Sequence, residues 1–177
     1  MALFKRNFSE LYINNKNGTF TEQGAKADCN IRDFVKGVTS GDYDNDGKTD
    51  IFISTMSGKK YLFKNETVKG GPVKFKEVTW LAGLSKDYTR SFPAWFFDYN
   101  NDGWLDILVC SYEFSQPLAY YAAAEAMQLN NVDGNSGKVV LYRNKQDGTF
   151  EDVSVATGLN NVAFAMGSNF GDIDNDG

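Results

Sequence analysis

The sequence contains no histidine. That absence excludes Ser-His-Asp and Cys-His nucleophilic machinery, and with it every His-ligated zinc or copper centre. Cysteine is scarce: Cys29 and Cys110 lie far apart and form no CxxC motif, so they either pair in an oxidising compartment or stand as two buried thiols. No apolar stretch approaches the roughly 20 residues that a membrane-spanning helix needs. Residues 1–10 carry no apolar core of a signal peptide. A run of basic residues, or a basic stripe interleaved with aromatics, is also missing, which leaves no support for nucleic-acid binding.

What is abundant is glycine, 17 residues against 3 prolines, much of it in Asn-Gly and Asp-Gly pairs. Such pairs mark tight turns and hence many short strands. With 42% hydrophobic and 15% aromatic residues, the 177-residue chain can bury a proper core as one all-β domain. The net charge of −5 is unevenly placed. Ten of the 23 acidic residues fall in three short loops, and without those ten the 18 basic residues outnumber the rest. Acidity concentrated in points suits ion binding better than it suits a solvated tail.

Two patterns recur. The first is an apolar stretch, an Asp-rich loop and a second apolar stretch: VTSGDYDNDGKTDIFIST (38–55), AWFFDYNNDGWLDILVCS (94–111) and GSNFGDIDNDG (167–177). The second is Leu-Tyr/Phe-x-Asn followed by Gly-Thr-Phe and a strand-like tail: LYINNKNGTFTE (11–22), LYRNKQDGTFED (141–152) and the looser YLFKNETVKGGPVKFKEV (61–78). Their order divides the chain into a partial unit at 9–28, full units at 34–80 and 90–154, and a partial unit at 163–177. The spacing from Asp42 to Asp98 is 56 residues and from Asp98 to Asp172 is 74, the excess falling in an insertion at 115–137. Periods near 50 residues with several short strands each are those of β-propeller blades. Four antiparallel strands are therefore predicted per blade, at about 34–42, 50–56, 59–65 and 73–79, and again at about 90–98, 106–112, 138–144 and 149–154. The turns at 16–19 and 146–149 are read as hairpins whose Asn-Gly or Asp-Gly supplies the positive φ. The Ala-rich stretch 116–130 predicts a short helix that interrupts the period.

Asp42-x-Asp44-x-Asp46-Gly-Lys48-x-Asp50 places carboxylates at loop positions 1, 3, 5 and 9, with the Lys48 carbonyl available at position 7. The second loop repeats the spacing with Asp98, Asn100, Asp102, Trp104 (through its carbonyl) and Asp106. The third, Asp172, Asp174 and Asp176, reaches Gly177 before a position-9 residue. Ca²⁺ takes six to eight oxygen ligands, and alternating carboxylates around a sharp Gly turn supply them; Mg²⁺ demands a stricter octahedron. Two complete Ca²⁺ sites and one truncated site are therefore expected. An EF-hand is rejected, because its bidentate Glu would fall at Ile53 or Val109 and the residues that follow read as strand. Saturated ligand sets leave no open position for catalysis, so the ion's expected role is structural.

With these loops and the LYRNKQDGTFEDVSVATGL segment in view, the chain resembles the FG-GAP/VCBS repeat family, the blades of integrin-α-like β-propellers. Within it, the sequence is similar to the cartilage-acidic-protein-like branch, whose blades often precede an UnbV/ASPIC-type domain. The resemblance implies an extracellular or cell-surface seven-bladed propeller, with Ca²⁺ in hairpin loops and a binding face made by inter-strand loops. Two full and two partial units do not close a ring, so a fragment of a larger propeller is predicted; such units alone would leave open strand edges that call for self-assembly.

The function expected is a non-catalytic, calcium-binding adhesion or recognition module for a protein or glycan. Trp80, Trp95, Trp104, Tyr120 and Tyr121 are candidates for sugar stacking, although a packing role suits most of them. One alternative is a subunit of a surface fibre. The other is the propeller domain of a polysaccharide-acting enzyme, with Asp87 and Glu113 as a nominal carboxylate pair. The sequons at Asn7, Asn17 and Asn65 would permit glycosylation in a secreted protein.

Overall fold

The fold was taken from a computed structural model, which describes residues 8–84, 89–112, 138–159, 165–169 and 171. Among the described residues, ten short strands form: β1 (Tyr12–Asn14), β2 (Phe20–Glu22), β3 (Val35–Gly41), β4 (Asp50–Thr55), β5 (Lys60–Asn65), β6 (Phe75–Glu77), β7 (Ser91–Phe97), β8 (Asp106–Ser111), β9 (Val139–Asn144) and β10 (Phe150–Asp152). They build two antiparallel four-stranded meanders, β3-β4-β5-β6 and β7-β8-β9-β10, preceded by the hairpin β1-β2. This is the all-β architecture of propeller blades, and each strand of the two meanders, β3 to β10, lies within a residue or two of the span its apolar pattern predicts. The first strand of each meander carries a register shift, at Val35/Gly37 and at Ser91/Ala94. The predicted helix at 116–130 lies outside the described residues. Among those described, no helix is long and apolar enough to cross a membrane.

Strand alternation explains how the units stack. Successive side chains of a strand point to opposite faces. In β4, Phe52 therefore enters a core shared with the following meander, among Ala94, Phe96, Ile107 and Val109. Ile53 enters a second core on the opposite face, with Ala27, Ile31, Phe63 and Phe75. A strand apolar on both faces is one clamped between neighbours. The rings of Phe52 and Phe96 meet edge-on across the gap between meanders, their centroids 6.3 Å apart.

A turn recurs three times among the described residues, and the first two copies tie one unit to the next. At 23–29, 78–84 and 153–159 the chain makes one helical loop, with Ala27 N–H donating to Gln23 O (2.8 Å), Ala82 N–H to Val78 O (2.8 Å) and Thr157 N–H to Val153 O (3.0 Å). Each loop exits through a left-handed residue, Asp28, Gly83 or Gly158. The carbonyl so presented receives the edge strand of the following unit: Phe75 N–H donates to Ala27 O (2.8 Å) and Phe150 N–H to Ala82 O (2.9 Å). Phe75 and Phe150 are buried at this joint, each 6% exposed, whereas Phe20, at the same place in the β1-β2 hairpin, is 62% exposed.

The hairpin turns differ from expectation in one respect. Gly18 and Gly148 do take positive φ, but the second left-handed residue is Lys16 or Gln146, not the Asn17 or Asp147 beside the glycine. Asn17 and Asp147 instead cap the turn, accepting from the N–H of Thr19 (3.1 Å) and Thr149 (3.0 Å). A short side-chain acceptor two residues before a free amide does this without needing the left-handed region itself.

Cys29 and Cys110 are both free and buried, which selects the thiol alternative. Burial pushes both thiols up from their ordinary range. Asn65, one of the sequon residues, donates its side-chain amide to Thr49 O (2.9 Å) and so is committed within the fold.

Where β3 crosses to the next meander, backbone meets backbone. A Cβ on Gly37 would come closer than 3.0 Å to the Phe92 carbonyl oxygen, which already receives the Ser54 hydroxyl. Neither backbone can retreat alone. Gly37→Ala is expected to destabilise the protein by about 1–3 kcal/mol, the range for overpacking, and urea denaturation would measure it. An unchanged midpoint would show that the two meanders are not locked together at this point.

Candidate metal centre

Each of the two described Asp loops, at 42–50 and 98–106, connects the first two strands of its meander and is shaped by its own first aspartate. Asp42 Oδ1 accepts from Asp46 N–H (3.0 Å) and Oδ2 from Gly47 N–H (2.8 Å). Asp98 does the same with Asp102 N–H (3.0 Å) and Gly103 N–H (2.7 Å). The chain then bends through Asn45 and Gly47, or Asn101 and Gly103, all at positive φ. Glycine takes that conformation at least steric cost, so the glycines fall where the sequence places them.

The last aspartate is the buried floor of the loop. Asp50 and Asp106 are both fully buried. Asp50 accepts from Tyr43 N–H (3.2 Å) and Asn65 N–H (2.7 Å). Asp106 accepts from Tyr99 N–H (3.1 Å) and Asn144 N–H (2.7 Å). Burial pushes the Asp50 carboxyl up to about 6, with the charges of Asp44 and Asp46 adding to it and the two amides opposing. Burial raises Asp106 as well. Burial thus disfavours the ionised form of both groups, and a nearby cation would favour it.

Among the described residues, one set of three acidic groups has ligand atoms that all lie within 4.8 Å of one another: Asp42, Asp44 and Asp50. Asp46, expected as a fourth ligand, is not in that set. Its Oδ1 accepts from Lys48 N–H (3.0 Å), and its Oδ2 meets the ammonium groups of Lys48 (3.1 Å) and Lys64 (3.4 Å). Burial works against the ionised form of Asp46, but the Lys48 hydrogen bonds and both lysine charges outweigh it and hold its carboxyl below the usual range. Asp44 Oδ2 is paired with the Lys64 ammonium, while its Oδ1 is buried with no hydrogen-bond partner. In the second loop Asp102 Oδ1 accepts from Trp104 N–H (2.9 Å), and Oδ2 takes neutral amide donors from Asn100 (3.1 Å) and Gln146 (3.3 Å). Asp172, Asp174 and Asp176 lie outside the described residues, as do Asp87 and Glu113.

The donor set fits a hard divalent cation. It is all oxygen, it places an orphaned carboxylate atom beside two other carboxylates, and it lacks the nitrogen and sulfur donors that softer metals take. A buried acceptor with no donor costs about 1–3 kcal/mol, and an ion would relieve that cost.

Two residues emerge that the loop spacing did not single out. Asn65 and Asn144, the Asn of the Leu-Tyr/Phe-x-Asn pattern, cap the floor aspartates through their N–H. Asn144 also reaches across, its Nδ2 donating to Tyr43 O (2.8 Å) in the first loop and to Leu105 O (3.0 Å) in its own. Asn45 adds a second tie, from its Nδ2 to Gly103 O (3.2 Å). The recurrence of the Asn within the Leu-Tyr/Phe-x-Asn pattern after the first two Asp loops, 15 residues beyond Asp50 and 38 beyond Asp106, was the available signal. The pattern that looked like a separate motif is the support of the loop before it.

A search of curated proteins found no match. A family model described as the FG-GAP-like repeat matches the chain three times, at residues 2–53, 42–109 and 126–177. With its repeated meanders, its Asp loops at like positions and these matches over most of its length, the chain belongs to the FG-GAP-like repeat family.

Proposed function

We propose that the chain is a calcium-stabilised, non-catalytic recognition module, working outside the cell or at its surface, that binds a protein or glycan. Asp44 carries the calcium part of this reading. One of its oxygens is buried without a partner, and it faces two further carboxylates within 4.8 Å. Asp42, Asp44 and Asp50 would hold the ion, with the Lys48 carbonyl and a rearranged Asp46 completing an oxygen set. In the second loop Asp98, Asn100, Asp102, Asp106 and the Trp104 carbonyl would do so. The ion would neutralise a loop of like charges and pin the first two strands of each meander together.

Recognition is supported by what the turns between units expose. Trp80 is 77% exposed and Leu81 is 59% exposed on the 78–84 turn, and Val155 holds the matching place on the next turn at 77%. Trp95 is not free for such a role, since its indole N–H donates to Ser168 (2.7 Å). Binding of the Ca²⁺-loaded chain to glycan and protein arrays is expected, and it should weaken in the Trp80→Ala variant. Arrays that stay silent with folded, loaded chain would count against a recognition role.

A further inference from the structure

We propose that Lys64 is a resident counter-cation of the first Asp loop, and that the residue opposite it across the β5–β6 ladder decides whether it sits there. The inference rests on the calcium reading and concerns why two loops of the same spacing, one with Asp44 where the other has Asn100, should take the ion unequally. Lys64 and Arg143 hold the same place in consecutive meanders, one residue before the Asn that caps the floor aspartate. Their cross-strand partners differ in sign: Lys64 faces Lys76, whereas Arg143 faces Glu151.

Directly opposed side chains in an antiparallel pair lie close enough for their charges to act on one another. Lys76 repels Lys64, and its own ammonium turns to Glu66 (3.8 Å). Lys64 swings to the loop, where it pairs with Asp44 and approaches Asp46 (3.4 Å). In the next meander Glu151 holds Arg143 in a salt bridge, the place of Asp44 is taken by the neutral Asn100, and Asp102 Oδ2 takes the amides of Asn100 and Gln146 while the Arg143 charge acts on it without a hydrogen bond. A divalent ion entering the first loop must displace an ammonium group from a ligand carboxylate. One entering the second loop meets no such competitor on Asp102 Oδ2. The first loop is thus the weaker site, filled by the protein's own cation when Ca²⁺ is low.

Calcium titration calorimetry on the chelator-treated chain tests this. The wild type is expected to show two affinity classes. Lys64→Met should tighten the weaker class about tenfold, a modest effect for one unit charge beside a divalent ion even at water-like screening. Lys76→Glu, which alters an exposed residue outside the loop, should tighten the same class by drawing Lys64 away, and Lys64→Arg should leave it where it was. Glu151→Lys should weaken the tighter class. If the wild type binds Ca²⁺ and neither Lys64→Met nor Lys76→Glu moves the weaker class, the counter-cation role is overturned while the calcium reading stands. If the wild type takes up no Ca²⁺, both are overturned.

Discussion

Phe52→Ala is expected to lower stability by about 3–5 kcal/mol, the cost of emptying a large aromatic site in a core. The expectation follows from where β4 sits. Phe52 is fully buried, and its neighbours include side chains of both four-stranded meanders, with Phe96 edge-on to its ring. Truncation would therefore remove packing within one unit and the contact that joins it to the next. Single domains are held by only about 5–15 kcal/mol, so the variant should populate unfolded chain at temperatures where the wild type does not. Urea denaturation should show a lower midpoint with little change in slope. Trp80→Ala is the contrast: its side chain is largely in solvent, and a surface substitution of this kind is worth within about 0.5 kcal/mol. Equal losses for the two would mean that the joint between meanders is not where stability resides.

Adding Ca²⁺ to the chelated chain is expected to raise its melting temperature. An ion that binds the folded state alone contributes RT ln(1 + [L]/Kd), about 2.7 kcal/mol per site at a hundred times Kd. The gain should be separable by loop. In chelator, Asp44→Ala, which leaves no side-chain oxygen at this position, should change stability by less than about 1 kcal/mol, because what it removes is a partly exposed ion pair with Lys64. In saturating Ca²⁺ the same variant should lose the first loop's whole contribution while keeping that of the second. Mg²⁺ should substitute poorly, since it holds its waters and its octahedron more strictly. Identical melting curves in Ca²⁺ and in chelator would remove the structural role of the ion.

The strands were readable because their signals are local. Ile51, Phe52 and Ile53 form a short apolar run bounded by an Asp-rich turn, and its repetition around Ile107 and Val109 ruled out coincidence. Gly47 and Gly103 were readable for the same reason: a sharp reversal within nine residues leaves few residue types able to take positive φ. The hairpins at 16–19 and 146–149 were readable as turns, but which residue went left-handed was not. That choice is made between neighbouring amides by hydrogen-bond geometry, and Asn17 and Asp147 serve as acceptors.

By itself, then, the sequence determined the repeat, the four-stranded unit and the position of the acidic loops at 42–50 and 98–106, because spacing within a loop and alternation within a strand are properties of adjacent residues. Only the tertiary structure decided which faces are joined and which carboxylates converge. Phe52 and Ile53 are neighbours in the chain yet serve two different cores, and Asn144 supports a loop some hundred residues before it by donating to Tyr43 O. Asp46 has the spacing of a ligand and is held by two lysines instead. Lys64 and Arg143 are nearly interchangeable as letters, but one lies in an acidic loop and the other against a glutamate, because the strand pairing sets Lys76 opposite the first and Glu151 opposite the second. Charges separated along the chain act on one another only after the ladder has brought them within a few ångströms, and that distance is not written in either motif.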